Sequence, residues 1–215
     1  MKQILLAGLL FIAGTLQAQT SSDPAAKKIL DAVSAKFKTF KAVQANFNLK
    51  IEDAKGKVQG QKKGTVYMKS TKYRVSVTGQ EIFCDGNNTW TFDKAANEVT
   101  VNKFDPNVNT LTPKKLFTNF YDQDFLYKLN GEKKEGAKTL QEIEMTPKDK
   151  SKPFFKVYIL VDKTTQFIYT TKWLDKSGNK YTYIINSLNG KAAIADNTFV
   201  FDKTKYPGVE VVDLR

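Results

Sequence analysis

The sequence contains no histidine and only one cysteine. Histidine is the commonest general base and a frequent zinc ligand, so its absence excludes Ser-His and Cys-His nucleophile pairs and most zinc sites. A CxxC motif, a phosphate-binding P-loop and a dinucleotide fingerprint are also lacking. The carboxylates lie mainly at predicted turns, where aspartate binds the local backbone, as at Asp53, Asp93, Asp162 and Asp175. We predict no enzymatic activity, no cofactor and no metal site.

The single cysteine, Cys84, cannot form an internal disulfide, so the hydrophobic core must stabilise the fold. Cys84 alternates with Phe83 in a predicted strand, which favours a buried, inert thiol over a nucleophile. No cysteine follows the apolar stretch near the N-terminus, where a bacterial lipoprotein carries its acylated residue. We therefore expect a protein without a lipid anchor.

The first eighteen residues have the layout of a secretory signal peptide. Met1-Lys2 is a short positive region, Ile4 to Leu16 is apolar, and Gln17-Ala18 provides a small residue for cleavage. The apolar run is shorter than the roughly 20 residues of a membrane span. We predict cleavage after Ala18, export across the membrane, and one domain over residues 19–215.

The chain is strongly basic, with 34 Lys and Arg against 22 Asp and Glu and a formal net charge of +12. Nucleic acid is not the partner we expect for an exported protein. The lysines are scattered through turns and outward strand positions, which favours a solvated surface. Anionic phospholipid headgroups and acidic faces of partner proteins remain alternatives.

An amphipathic helix of about four turns is predicted near the start of the mature chain. Asp23 suits the N-cap and Pro24 the first turn. Apolar residues then recur at helical spacing, which predicts packing on a sheet: Ala26, Ile29, Leu30, Val33, Phe37 and Phe40.

From Ala42 the period changes to two, and apolar and polar residues alternate through Ile51. A return strand carries Gly60 and Gly64, which are typical of the bends where a sheet curls. Between Lys72 and Lys103 short β-branched and aromatic segments predict an antiparallel meander. We expect its apolar and aromatic side chains to share one face without a central ionisable group: Tyr73, Val75, Val77, Phe83, Trp90 and Phe92.

A second, short helix is predicted from Leu111-Thr112-Pro113, and it carries unusually bulky residues. We expect Leu116, Phe117 and Phe120 to act as a lid over an apolar surface. Strands resume at Phe125, with a turn predicted at Asn130-Gly131. In total about eleven strands and two main helices are predicted, a mainly β (α+β) fold.

A curled sheet with an aromatic interior either fills that interior or leaves an apolar cavity. Burial of an acyl chain contributes roughly 0.8 kcal/mol per CH₂, so hydrocarbon is the natural guest. Each candidate could instead be ordinary core, but one four-turn helix cannot cover them all. The candidate lipid-binding residues are Phe47, Leu49, Val66, Met68, Phe83, Trp90 and Phe92.

Five segments together resemble the LolA-type periplasmic lipoprotein carriers: ILDAVSAKFKTF, AVQANFNLKI, GTVYMKSTKYRVSV, FCDGNNTWTFD and NTFVFDKTKYPGVEVVD. The resemblance spans almost the whole mature chain. It implies an incomplete, strongly curved antiparallel β-barrel with helices over the open side. It also implies a monomeric carrier that takes acylated lipoproteins from an inner-membrane release complex to an outer-membrane acceptor lipoprotein.

The sequence departs from this family at one point. Well-known carriers have Arg-Pro just after the strand that corresponds to Thr65–Lys69, and that arginine holds the lid shut; here Ser70-Thr71 follows. Arg74 and Lys72 lie nearby, but the role is not transferred to them. We expect weaker or different lid closure. A carrier of another lipid or amphiphile, or a half-barrel sensor or interaction module, remains an alternative.

Overall fold

The computed structural model describes residues 22–105 and 120–215. Within them α1 spans Pro24–Lys38 and a short α2 spans Phe120–Asp124. Two 3₁₀ turns span Asp196–Phe199 and Lys203–Lys205. The strands are β1 Val43–Glu52, β2 Val58–Lys69, β3 Lys72–Val77, β4 Gln80–Cys84, β5 Asn88–Asp93, β6 Glu98–Lys103, β7 Phe125–Glu135, β8 Lys138–Pro147, β9 Phe154–Asp162, β10 Ile168–Asp175, β11 Lys180–Asn189 and β12 Glu210–Asp213.

All of these strands belong to one sheet, in the order β12-β6-β5-β4-β3-β2-β1-β11-β10-β9-β8-β7. Neighbours are antiparallel except β12 and β6, which pair in parallel. The sheet is strongly curved but not closed, with β12 and β7 as its edges. The predicted fold class is confirmed, and the strand count is twelve where about eleven were expected.

The helix α1 begins where the sequence predicts. Asp23 caps it, because its Oδ1 accepts a hydrogen bond from the Ala25 N–H at 2.8 Å. The same residue attaches the helix to the edge strand β7: its N–H donates to the Tyr127 carbonyl, and its Oδ2 accepts from the Leu129 N–H at 2.9 Å. The start of α1 is therefore held at one edge of the sheet.

We call the face of the sheet that carries α1 the inner face. Its buried core joins α1 to strands from both halves of the sheet, which shows that the sheet curves around the helix. The largest contributions come from apolar and aromatic side chains that are at most 9% exposed, including Leu30, Val33, Val43, Val66, Met68, Tyr121, Phe125, Tyr127, Ile143, Met145, Phe154, Val157, Ile159, Val161, Ile168 and Trp173.

A second, smaller core lies on the opposite, outer face of β4 to β6. There the C-terminal residues fold back over the sheet. The ring of Phe201 meets Phe83 edge-on at 5.6 Å between ring centroids, and it stacks on Tyr206 at 4.5 Å. Phe92 lies 5.7 Å from Phe201, and Val99 and Val209 complete the cluster. The C-terminal segment is thus part of the packed fold.

The expectation that the meander has a single aromatic face is wrong. The two-residue turn between β3 and β4 pairs Val77 with Gln80, so odd positions of β3 share a face with even positions of β4. Arg74 therefore lies beside Phe83, and this outer face also carries Glu81. The β3 side chains Tyr73, Val75 and Val77 lie on the inner face.

The predicted turn at Asn130-Gly131 is also wrong. Strand β7 continues through it to Glu135, and the register with β8 shifts between Leu129 and Gly131. Gly131, at φ 120°, accommodates this bulge, and the chain turns at Gly136 instead.

Candidate functional site

The strand register divides the seven predicted lipid-binding residues between the two faces. Phe47, Leu49, Val66 and Met68 lie on the inner face. The other three lie on the outer face, where Phe83 and Phe92 are buried and Trp90 packs against the same cluster. Sequence alternation along one strand could not show this division, because it depends on how successive strands pair. The predicted lid residues Leu116 and Phe117, and the side chain of Phe120, lie outside the described residues.

The apolar side chains of the inner face are unequally covered. Val66 and Met68 are buried in the core that includes α1. Around them, side chains of β1, β3 and β11 are only half-buried, although they are apolar or aromatic. We call these residues the inner strip: Leu49, Ile51, Tyr73, Val75, Tyr181, Tyr183 and Ile185. Exposed apolar area of this kind is the usual lining of a site for an apolar ligand.

A hollow of about 330 Å³ lies between α1 and the inner face on the β7 side. Its apolar lining comes from Ala25, Ile29 and Ala32 of α1 and from Leu129 and Val161 of the sheet. Polar side chains also line it, namely Lys28, Gln141, Lys163 and Gln166. The helical spacing of Ile29 was the only sequence signal for this hollow, since its other wall comes from strands about a hundred residues away.

The ring of Phe47 lies directly over Gly64 of the neighbouring strand. A Cβ at Gly64 would stand 2.3 Å from the Phe47 ring and 2.8 Å from the Ser76 carbonyl oxygen. Phe47 also contacts Tyr183 of the inner strip, with 5.9 Å between ring centroids. Gly64 is therefore required for close approach of this ring, whereas Gly60 lies beside a register shift between β1 and β2.

We predict that Gly64→Ala lowers the free energy of unfolding by about 1–3 kcal/mol, because the methyl group overpacks this contact. Chemical denaturation measures the change. Gly60→Ala, on the same strand with no atom within 4 Å of an added Cβ, is the matched control and is expected to change stability little. Equal stability of the two variants would contradict the close contact.

The single cysteine of the chain, Cys84, lies in an environment that makes its thiol unreactive. The Cys84 thiol is fully buried, and burial raises its pKa above the ordinary value, which disfavours the reactive thiolate. Within residues 22–105 and 120–215 no three Cys, Asp or Glu side chains are grouped as a metal site would require. The inner strip is therefore suited to binding an apolar ligand.

The comparisons with known proteins agree with this geometry. A model of the family of outer membrane lipoprotein carrier proteins LolA matches residues 38–202. This chain belongs to the LolA family. The match includes the inner strip and the hollow's sheet residues, and it begins at the last residue of α1. No curated protein sequence matches the chain significantly.

Solved structures share the LolA-like fold at low sequence identity. An uncharacterized conserved protein from Thermus thermophilus has a TM-score of 0.59 at 12% identity, covering 88% of this chain and 99% of its own. The lipoprotein LppX of Mycobacterium tuberculosis has a TM-score of 0.51 at 11% identity, covering 81% of this chain and 100% of its own. These likenesses show the fold alone. In the described ranges no helix is long and apolar enough to cross a membrane.

The cations that flank Ser70-Thr71 lie on the outer face of the sheet, because Lys69, Lys72 and Arg74 alternate with the inner residues of β2 and β3. Lys69 and Lys72 bind the Asp196 carboxylate at 2.7 and 2.8 Å, and their hydrogen bonds lower its pKa to about 2. Arg74 donates to Glu81 at 2.6 Å, and its guanidinium lies 4.7 Å from the Phe83 ring centroid. Lys69 and Lys72 thus attach the segment around Asp196 to the sheet, whereas Arg74 binds within the outer face.

Glu81 is a buried carboxylate on the outer face, and Arg74 and Lys94 bind its two oxygens at 2.6 and 2.8 Å. Burial raises the Glu81 pKa, but the hydrogen bonds from Lys94 and Arg74 outweigh it and hold the pKa below the ordinary value. Ionised Glu81 therefore stabilises the fold above the pKa of the unfolded chain, and this contribution is lost as pH falls through the lower folded pKa.

We expect Glu81→Gln to lower the free energy of unfolding at pH 7 by about 1–3 kcal/mol, because charge-assisted hydrogen bonds are lost from a buried site. Chemical denaturation at a series of pH values from 7 to 3 measures how the free energy of unfolding changes with pH. The wild-type chain should lose more stability on acidification than Glu81→Gln. Parallel pH profiles would show that Glu81 is not ionised in the fold.

Proposed function

We propose that this LolA-family protein is a periplasmic carrier that binds the acyl chains of lipoproteins and shuttles them from the inner to the outer membrane. The observation that supports it best is the inner strip, where apolar side chains stay half-buried beside a well-packed core. The family's description as lipoprotein carriers supports the choice of guest. A guest hydrocarbon would complete the burial of these side chains, at roughly 0.8 kcal/mol per CH₂.

The hollow beside α1 supports the same guest. Its apolar walls suit part of an acyl chain, and its volume lies within the range of small-molecule sites. Lys28, Gln141 and Gln166 place hydrogen-bond donors along its rim. Such donors suit the ester and amide carbonyl oxygens of an acylated cysteine, which must stay near water while the chains are buried.

The proposal has further parts that follow from the sequence. Residues 1–18 serve as a cleaved signal peptide, and residues 19–215 act as one carrier domain. Leu116, Phe117 and Phe120 form the lid over the bound chains. The carrier receives cargo from an inner-membrane release complex and passes it to an outer-membrane acceptor lipoprotein, with no catalytic step of its own.

The test is native mass spectrometry of the full chain, exported with its own leader and purified from the periplasm. A lipoprotein-sized adduct is expected. In parallel, purified protein should bind a triacylated lipopeptide and not the same peptide without acyl groups. A bound lipid without protein would instead favour a carrier of another amphiphile. Equal affinity for acylated and unacylated peptide would overturn acyl recognition and favour an interaction module.

A further inference from the structure

The connection between β8 and β9 concentrates positive charge at one end of the sheet. Lys148, Lys150 and Lys152 alternate along it. Lys176, from the turn after β10, folds against it: its Nζ donates to the Lys150 carbonyl at 2.7 Å, and its N–H donates to the Pro153 carbonyl. We call residues 148–155 the basic loop. The turn after β10 thus binds two backbone carbonyls of the basic loop.

The basic loop contains more lysine ammonium groups than carboxylates. Its one carboxylate, Asp149, accepts hydrogen bonds from the N–H and the hydroxyl of Ser151 at 2.8 and 2.7 Å, which lower its pKa. Lys148 Nζ donates to the Asp122 carbonyl oxygen, and Lys176 donates to a carbonyl as well. Because these ammonium groups bind neutral carbonyls, they keep their charge available to an external anion.

An exposed aromatic ring lies at the end of the same loop. The register between β9 and β10 pairs Phe154 with Asp175 and Lys156 with Leu174, so Phe155 is the extra residue of a β-bulge. Phe154 packs inward against Trp173, with 4.7 Å between ring centroids. The Phe155 side chain is 46% exposed. A large apolar ring is thus displayed beside the lysines.

We propose that the basic loop binds the surface of a bilayer that contains anionic phospholipid. Lysines attract such a surface as point charges, without the shaped groove that a protein partner needs, and an adjacent aromatic ring can enter the headgroup region. The excess of Lys and Arg over Asp and Glu favours the same encounter at long range. This inference concerns the membrane contact and does not depend on acyl binding in the inner strip.

The position of the loop connects membrane contact to α2. The Lys148 N–H donates to the Asp124 carbonyl at 2.9 Å, and its Nζ donates to the Asp122 carbonyl at 3.0 Å. Both acceptors belong to the last turn of α2, which directly precedes the edge strand β7. A bilayer bound at the loop would therefore lie next to this helix and to the strand that holds the start of α1.

The test is sedimentation of the full chain with phosphatidylcholine vesicles, with and without phosphatidylglycerol. Binding is expected only with the anionic lipid, and it should weaken as salt is raised. Replacing Lys148, Lys150 and Lys152 together by Gln should weaken binding about a hundredfold, since each lysine near such a surface contributes roughly fivefold. Phe155→Ser should weaken it up to about tenfold.

The matched control replaces Lys41, Lys57 and Lys63 by Gln, because these lysines are exposed and the change in net charge is the same. It should keep nearly full vesicle binding. Equal loss of vesicle binding in both triple variants would overturn the proposal. Failure of the wild-type chain to bind anionic vesicles would also overturn it, even if the loop then proved to bind an acidic protein. Lipopeptide binding, measured separately, should be unchanged in every variant, so each hypothesis can fail alone.

Discussion

Leu49→Glu is expected to weaken binding of a triacylated lipopeptide at least about tenfold. Leu49 is half-buried in the inner strip, opposite Tyr183 of β11, so a carboxylate there would meet the guest hydrocarbon. That carboxylate must lose water or take up a proton when the chain binds, and either event opposes binding. A titration with fluorescent lipopeptide measures the dissociation constant.

Asn48→Glu is the matched control, since it adds the same charge one residue earlier on the outer face. There Asn48 takes part in a polar surface, with its amide 3.5 Å from that of Asn186. Acyl binding should be nearly unchanged in this variant. Thermal unfolding must show that both variants are folded. Unchanged lipopeptide affinity in a folded Leu49→Glu protein would remove the inner strip from the proposed site.

Phe201→Ala is expected to lower the free energy of unfolding by about 3–5 kcal/mol, the usual range for a buried phenylalanine. Phe201 is 9% exposed and contacts Phe83, Phe92 and Tyr206, so its loss leaves a cavity at the centre of the outer core. Chemical denaturation measures the effect, and the half-buried Trp90 should become more accessible to a fluorescence quencher.

Val200→Ala, one residue earlier, is the control, because its side chain is 41% exposed and should contribute within about 0.5 kcal/mol. A Phe201→Ala protein as stable as this control would mean that the C-terminal segment is only loosely attached. In that case Phe83 and Phe92 would be available to a ligand, as the sequence pattern predicts.

Local patterns predicted the single elements well. Asp23 and Pro24 marked the start of α1, and the alternation from Val43 to Ile51 marked β1. Such signals depend on residues within a few positions of one another, so they can be read directly from a chain. The turn at Asn130-Gly131 was misassigned because the same residue types serve turns and bulges.

The site was predicted only in part. Phe47, Leu49, Val66 and Met68 belong to the expected face, because the register of β1 and β2 sets odd positions of β1 opposite even positions of β2. Phe83, Trp90 and Phe92 were placed on the wrong side, since the register across β3 and β4 reverses the parity. The hollow beside α1 was missed, because the helix forms one wall and strands far along the chain form the other.

The sequence by itself determined where α1 begins, that apolar and polar residues alternate along β1, and that histidine chemistry is excluded. Only the tertiary structure decided which apolar surface is left partly uncovered. The C-terminal segment covers the aromatic residues of the outer face, and α1 covers only part of the inner face. Coverage depends on contacts between residues more than a hundred positions apart, and periodicity within a segment carries no information about them.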